Sequence, residues 1–383
     1  MLNNLLSSYL FDQIEPIAKW VSIGVIGAMV ISLIIIFFSK KENFSKPELI
    51  KTILRVIVFY AVIMGIILVT LEMLKKFSTG YLEDNWVSKK IIPFVFIPVL
   101  TTLILSLISM ITIYFLSKRK ATCLKTVKLI AGIVCAIAFI TTIILIAVFY
   151  SNNILGDGYY TGDYGKLNSP ILYALAFTLV AVVIILALVV GKNNKSPFDS
   201  KTISMAGVCI SLAFVLSYVK FEAAWIQGGS ITLVSFLPIC LFSYVYGMKK
   251  GLIVGFIYGL LQAIQDPFIV HPAQFLLDYP IAFSMITLSG LLTDLNVLSS
   301  MPRVKFAIGA LLTGTFRYIA HTISGVFAFG AYAADSGASS FLTYSAVYNT
   351  YVFIDIALVI VAGIILFSSK SFSKEMKKLS QDK

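Results

Sequence analysis

The chain has 383 residues, of which 59% are hydrophobic and only 13% charged. Soluble domains carry about 25% charged residues, so a water-soluble globular fold is excluded and a helical integral membrane protein is expected. The formal charge of +12 does not point to nucleic acid, because the Lys and Arg fall in short connections between apolar runs, as cytoplasmic membrane loops require.

Apolar runs of spanning length lie near 18–38, 51–74, 91–116, 128–150 and 170–191. After a polar break, Gly191-Lys-Asn-Asn-Lys-Ser-Pro-Phe-Asp-Ser-Lys201, further runs lie near 203–219, 231–247, 251–265, 274–294, 304–328 and 344–368. The expected fold is therefore all-α: a polytopic membrane protein of about eleven transmembrane helices, five plus six. The break divides an N-terminal block, 1–195, from a C-terminal block, 196–383. The short alternating segments of an outer-membrane barrel are absent. The first run is too long for a signal-peptide core, and no small-residue cleavage site follows it. Cys123, Cys135, Cys209 and Cys240 show neither disulfide nor metal spacing and read as reduced and structural.

The basic residues set the orientation. Lys40, Lys41, Lys46 and Lys51 share one connection, and Lys118, Arg119, Lys120 and Lys125 another. Lys192 and Lys195, Lys249 and Lys250, Arg303 and Lys305, and the Lys-rich tail complete the set. Every second connection is basic, which predicts a multi-pass cell-membrane protein with its N-terminus outside and its C-terminus cytoplasmic.

Polar groups inside the C-terminal runs carry the functional signal. Residues 266–279, Asp-Pro-Phe-Ile-Val-His-Pro-Ala-Gln-Phe-Leu-Leu-Asp-Tyr, put a histidine and two carboxylates at the edge of an apolar segment. Arg317-Tyr-Ile-Ala-His321 and Tyr344 through Asn349 form two further clusters. An ionisable group at membrane depth costs roughly 2.5–3.5 kcal/mol on insertion scales, so these mark a small-molecule site on the outer side of the bundle. Arg317, His321, Gly325 and Phe329 recur at four-residue spacing and share a helix face, with Gly325 leaving room for a ring. Tyr344, Tyr348, Tyr351 and Asp355 form a second stripe, and Asp355 is a partner for Arg317. Residues 1–200 carry no comparable constellation; Asp157, Tyr159, Tyr160, Asp163 and Tyr164 in the connection 151–169 read as a solvated loop.

Six ordered motifs then carry a resemblance. They are Gly228-Gly-Ser-Ile-Thr-Leu-Val-Ser-Phe-Leu-Pro238, Tyr246-Gly-Met-Lys-Lys-Gly251, Tyr258-Gly-Leu-Leu-Gln262, His271-Pro-Ala-Gln-Phe-Leu-Leu-Asp-Tyr-Pro-Ile-Ala-Phe283, Arg317-Tyr-Ile-Ala-His-Thr-Ile-Ser-Gly-Val-Phe327 and Tyr344-Ser-Ala-Val-Tyr-Asn349. Over roughly 202–368 the chain resembles the thiamine-specific S components of energy-coupling-factor (ECF) vitamin transporters, which are six-helix units. The five N-terminal helices lie outside the resemblance.

The resemblance implies thiamine as ligand. Thiamine is a cation with two rings and a hydroxyethyl tail, so its site needs a carboxylate, aromatic faces and a few directional hydrogen bonds. The implied binding residues are Asp278, where the family often has Glu, with Tyr279, His321, Tyr344 and Asn349, and Trp225 in a loop that closes over the vitamin. Phe329 departs from the family's tryptophan and has a weaker quadrupole for stacking. The implied partners are a T component and two ATPase subunits, since the chain has no Gly-x-x-x-x-Gly-Lys-Ser/Thr loop of its own. Small-residue pairs, Gly207 with Ser211 and Cys209 with Ala213, are candidates for the T-component contact. No cofactor, metal or catalytic group is implied.

Three other readings stand beside this one. The same scaffold serves a different vitamin, such as a riboflavin- or pyrimidine-type substrate, although Asp278 favours a cation. Alternatively, Asp266, His271, Asp278 and His321 are the ligands or acid–base groups of an intramembrane metal-dependent enzyme; no His-x-x-x-His or Glu-x-x-His pair supports it. The third makes the N-terminal block a sensor, an assembly module or a fused T component, the last without the Ala-Arg-Gly motif that T components use.

Overall fold

The computed structural model describes residues 20–36, part of 52–68, 92–119, 122–153, 169–191, 198–221, 229–265, 269 and 271–381. Trp225, Asp266, Phe268 and the tyrosines and aspartates of 157–164 lie outside the described residues. Among those described, each of the eleven apolar runs contains helix, and the strand content is one two-residue ribbon in which Lys220 pairs with Thr232 and Phe221 with Ile231. The fold is that of an all-α polytopic membrane protein.

The N-terminal block contains α1 (Trp20–Ile36), helix at the described positions of 52–68, α2 (Ile97–Lys118), α3 (Leu124–Asn153) and α4 (Ser169–Val190). Large apolar side chains such as Ile108, Ile137, Ile144, Phe177 and Ile185 stay exposed along these helices. In water that pattern would aggregate; against acyl chains it is the expected outer surface.

The C-terminal block begins with α5 (Ser200–Leu216), whose N-terminus is capped by Asp199 Oδ1 accepting from Thr202 N at 2.8 Å. Strands β1 (Lys220–Phe221) and β2 (Ile231–Thr232) follow. Then come α6 (Leu237–Tyr246), α7 (Met248–Gln265), α8 (Pro272–Asp294), α9 (Pro302–Ala328), α10 (Gly330–Asp335), α11 (Phe341–Tyr348), α12 (Tyr351–Ser368) and α13 (Lys370–Gln381). Helix α8 is irregular, with a π-turn at Leu277–Ile281 around Pro280 and a 3-10 stretch at Met285–Gly290.

Two runs differ from the sequence expectation. The run 231–247 opens as strand β2 and becomes helix only at Leu237–Tyr246. Ten residues reach only about 15 Å, half a hydrocarbon core. Gly247 ends the helix at φ 83°, a backbone region that favours glycine, and α7 starts one residue later. The run 344–368 is broken at Asn349–Thr350, where Asn349 Nδ2 donates to Ser345 O at 2.8 Å and competes with the helix ladder.

By length and composition, Pro93–Ser117, Leu124–Asn152, Pro272–Asp294 and Phe341–Ser368 are each sufficient to cross a membrane. The centre of the C-terminal block is α7, whose Gly251, Gly255 and Gly259 recur at four-residue spacing on one face. A Cβ on Gly255 would come 2.5 Å from Phe283 O, and one on Gly259 2.6 Å from Tyr279 O. These glycines let α7 lie directly on the backbone of α8, as small-xxx-small stripes do in membranes.

The two blocks are packed together. Val95 and Phe96 just before α2 and Val99 and Leu103 within it, with Ile146 and Phe149 of α3, share a cluster with Ile257, Leu260, Ala263 and Ile264 of α7 and Phe275 of α8. Leu179 and Val183 of α4 meet Ala282 and Met285 of α8 and Ala320 of α9.

Candidate functional site

One ion pair and one histidine–carboxylate hydrogen bond cross from α9 to its neighbours. Deeper in the bundle, Arg317 Nη1 lies 3.1 Å from Asp355 Oδ2 on α12, with the side chains 9% and 1% exposed. Asp355 Oδ1 accepts from Thr232 N at 3.2 Å and from Thr232 Oγ1 at 3.0 Å, and the guanidinium lies over the Phe236 ring at 4.1 Å. Both Asp355 oxygens are engaged within the protein, whereas Arg317 Nε has no hydrogen-bond partner among the described residues; the pair anchors β2 through Thr232.

One turn further along α9, His321 Nδ1 stands 2.8 Å from Asp278 Oδ1 on α8. Gln274, a turn before Asp278, donates from Nε2 to Asp278 Oδ2 at 2.8 Å. A carboxylate only accepts, so the imidazole proton sits on Nδ1. The other ring nitrogen, Nε2, is buried and has no hydrogen-bond partner. In the neutral tautomer with its proton on Nδ1, Nε2 is a bare acceptor, a group that rarely stays unsatisfied without a reason. Asp278 is half-buried.

Three tyrosines follow one another on α11 and α12. Tyr344 stacks on Tyr348 with centroids 6.1 Å apart and planes 20° apart, and Tyr348 meets Tyr351 edge-on at 6.0 Å. Tyr344 and Tyr348 line an open pocket of about 280 Å³ together with Ser336, Ala338, Thr343 and Val347. Tyr348 and Tyr351 lie within electrostatic reach of Asp278. Helix α11 is pinned to α9 next to His321: Ser345 Oγ donates to Thr322 O at 2.8 Å, and Tyr318 OH donates to Ala346 O at 3.0 Å.

The structure therefore brings Asp278 and His321 into contact, with Tyr348 and Tyr351 within electrostatic reach of Asp278 and Tyr344 stacked on Tyr348. Tyr279 is half-buried between two apolar clusters, with its ring 6.0 Å from Phe275. Phe329 forms the junction of α9 and α10, half-buried, 6.0 Å from the Tyr332 ring. Asn349 is 4% exposed and its amide is engaged by Ser345. Gly325 does not leave room for a ligand ring, because Ser345 fills the space a side chain there would need. Sequence reasoning assigned no role to Gln274, although it falls four residues before Asp278 on one helix face, nor to Thr232, whose contact spans 123 positions.

The donor set does not resemble a metal centre. His271 lies at the start of α8 and spends Nδ1 on the Ala273 N–H at 3.1 Å. Among the described residues no group of three His, Cys, Asp or Glu side chains is placed to hold an ion.

A family profile described as a thiamine transporter protein matches residues 203–376, which include Asp278, His321, Arg317, Asp355, Tyr344, Tyr348 and Tyr351. The thiamine transporter ThiT of Bacillus subtilis (strain 168) is 37% identical over 143 residues, 35% of this chain and 74% of the relative. ThiT of Lacticaseibacillus paracasei is 30% identical over 138 residues, 32% of this chain and 68% of the relative. Through its C-terminal block, the chain belongs to the thiamine transporter family.

Proposed function

We propose that the chain is the thiamine-binding membrane subunit of an ECF-type vitamin uptake transporter, not an enzyme, energised by a separate T component and two ATPase subunits. The observation that carries the reading is the Asp278–His321 pair at 2.8 Å with His321 Nε2 left bare, in a chain of the thiamine transporter family. Asp278 supplies the negative charge for the thiazolium. His321 Nε2 accepts from a ligand donor, such as the exocyclic amine of the aminopyrimidine or the hydroxyethyl group. Tyr344 and Tyr348, with Phe329 and Tyr279, supply ring faces, and Asn349 a directional polar contact. Trp225, in the connection before Gly229, closes the outer side.

The substrate domain in this reading is 196–383, with 1–195 appended to it. The N-terminus is outside and the C-terminus cytoplasmic, so the site opens outward. Of the two small-residue pairs on α5, Cys209 and Ala213 are buried in the bundle core, whereas Gly207 is exposed with nothing within 4 Å of a built Cβ. The Gly207 face is therefore the one assigned to the T component.

The test is calorimetric titration of the detergent-purified full chain with thiamine, riboflavin and biotin. One-to-one binding of thiamine alone is the expected result. Binding of another vitamin in place of thiamine overturns the substrate.

A further inference from the structure

The N-terminal block lies outside the matched region, yet it contacts the start of α8, which carries Asp278. Near the end of α3 lie Phe149 and Tyr150; Phe149 is 2% exposed in the cluster shared with α2, α7 and α8. The Tyr150 ring meets the His271 ring edge-on at 4.7 Å. His271 also stacks on Phe327 of α9, with centroids 5.3 Å apart and planes 19° apart. The imidazole thus meets one ring from each block. Its Nδ1 accepts from Ala273 N and caps α8 immediately before Gln274, which holds Asp278.

We propose that the N-terminal block positions the ligand site: Tyr150 of α3 holds His271 against Phe327, and this fixes the first turn of α8 and with it Gln274 and Asp278. Tyr150 and His271 are positioning residues that act through the α8 cap and Gln274. The pieces form one chain from the appended block to the carboxylate, running Tyr150, His271, the capped turn, Gln274, Asp278. A site assembled by such a clamp keeps its ligand longer than one whose first turn frays, because the ordering cost is already met before binding. The ligand identity in this inference rests on the thiamine reading; the clamp does not.

The experiment uses the full chain and two readouts. Hydrogen exchange by mass spectrometry on ligand-free protein follows the amides of 273–276, and stopped-flow displacement follows thiamine dissociation. Tyr150→Ala is expected to speed both exchange at 273–276 and dissociation by roughly three- to ten-fold, the worth of an aromatic pair. Tyr150→Phe, which keeps the ring edge, is expected to restore both. If Tyr150→Ala does not fold, His271→Asn carries the test, because Asn keeps the cap but loses the clamped ring. Unchanged exchange at 273–276 overturns the clamp. A wild-type chain that binds no thiamine overturns the ligand, while the exchange result still decides the clamp. Faster exchange with an unchanged dissociation rate overturns the link to the site.

Discussion

Arg317 and Asp355 meet at 3.1 Å with side chains 9% and 1% exposed, and Thr232 adds two hydrogen bonds to the same carboxylate. A charge left alone at that depth is costly, so Arg317→Ala should destabilise the protein by about 3–5 kcal/mol. The double variant Arg317→Met with Asp355→Leu should recover most of that loss, because it removes both charges together. Thermal unfolding in detergent checks this. Equal destabilisation in the single and double variants would mean the pair is not the cause.

At the Asp278–His321 pair the expected effect is on binding and not on folding. Asp278→Asn removes the charge facing a cationic ligand, and His321→Ala removes the bare Nε2 acceptor. Each should weaken thiamine binding at least about ten-fold, or about 1.4 kcal/mol, with the melting temperature little changed. Because the two touch, their effects should not add, and a double-mutant cycle should show the coupling. Near-wild-type affinity in both single variants would remove the site assignment. Gln274→Ala, which frees one Asp278 oxygen, should fall between these variants and the wild type.

The glycines of α7 separate packing from chemistry. A Cβ on Gly259 would press on Tyr279 O and Pro280 Cα, displacing the turn that follows Asp278. Gly259→Ala should therefore cost about 1–3 kcal/mol of stability and lower affinity as well. Gly207→Ala is the control, because nothing lies within 4 Å of its built Cβ. Melting curves and titrations of the two variants, run side by side, measure the difference.

Much of this was legible from residue types and spacing. The apolar runs gave the helices, and the cost of burying charge picked out Asp278, His321, Arg317 and Asp355 as residues that had to be paired or used. Asp355, deep in the last run, was the partner expected for Arg317, and the two meet. What spacing could not show was which partner each group takes. Four-residue periodicity put Gly325 on the cavity face, but the break at Asn349 turns α11 so that Ser345 fills that space. Likewise Tyr344, Tyr348, Tyr351 and Asp355 read as one continuous stripe, whereas they occupy two helices. The contact of Tyr150 with His271 joins positions in separate blocks, and no local pattern encodes it.

His271 gives a pH prediction. It lies just before the span that begins at Pro272, and burial pushes its imidazole down from 6.5 to about 4. The unfolded chain therefore takes up the proton first as pH falls. The stability linked to His271 is fully present above about pH 6.5 and is lost as the pH falls from there towards 4. His271→Asn should flatten that part of the profile while keeping the cap on α8. Melting temperature against pH for the two proteins, compared by difference, isolates the contribution. A difference curve without slope in that window would show that His271 is not the titrating group.

Gly207 tests the partner independently of the ligand. Its position on the outside of α5, with Cys209 and Ala213 turned into the core, leaves a face where another helix backbone could approach closely. Gly207→Leu fills that approach without touching the site, so thiamine affinity should stay within about two-fold of wild type. Co-purification with a co-expressed T component and its ATPases, and thiamine uptake by cells, should both fall sharply. If uptake and co-purification survive the substitution, the docking face lies elsewhere on the bundle. The faces of α7 and α9 already covered by α2, α3 and α4 would then be the least available places to look, because an apolar interface would have to be opened first.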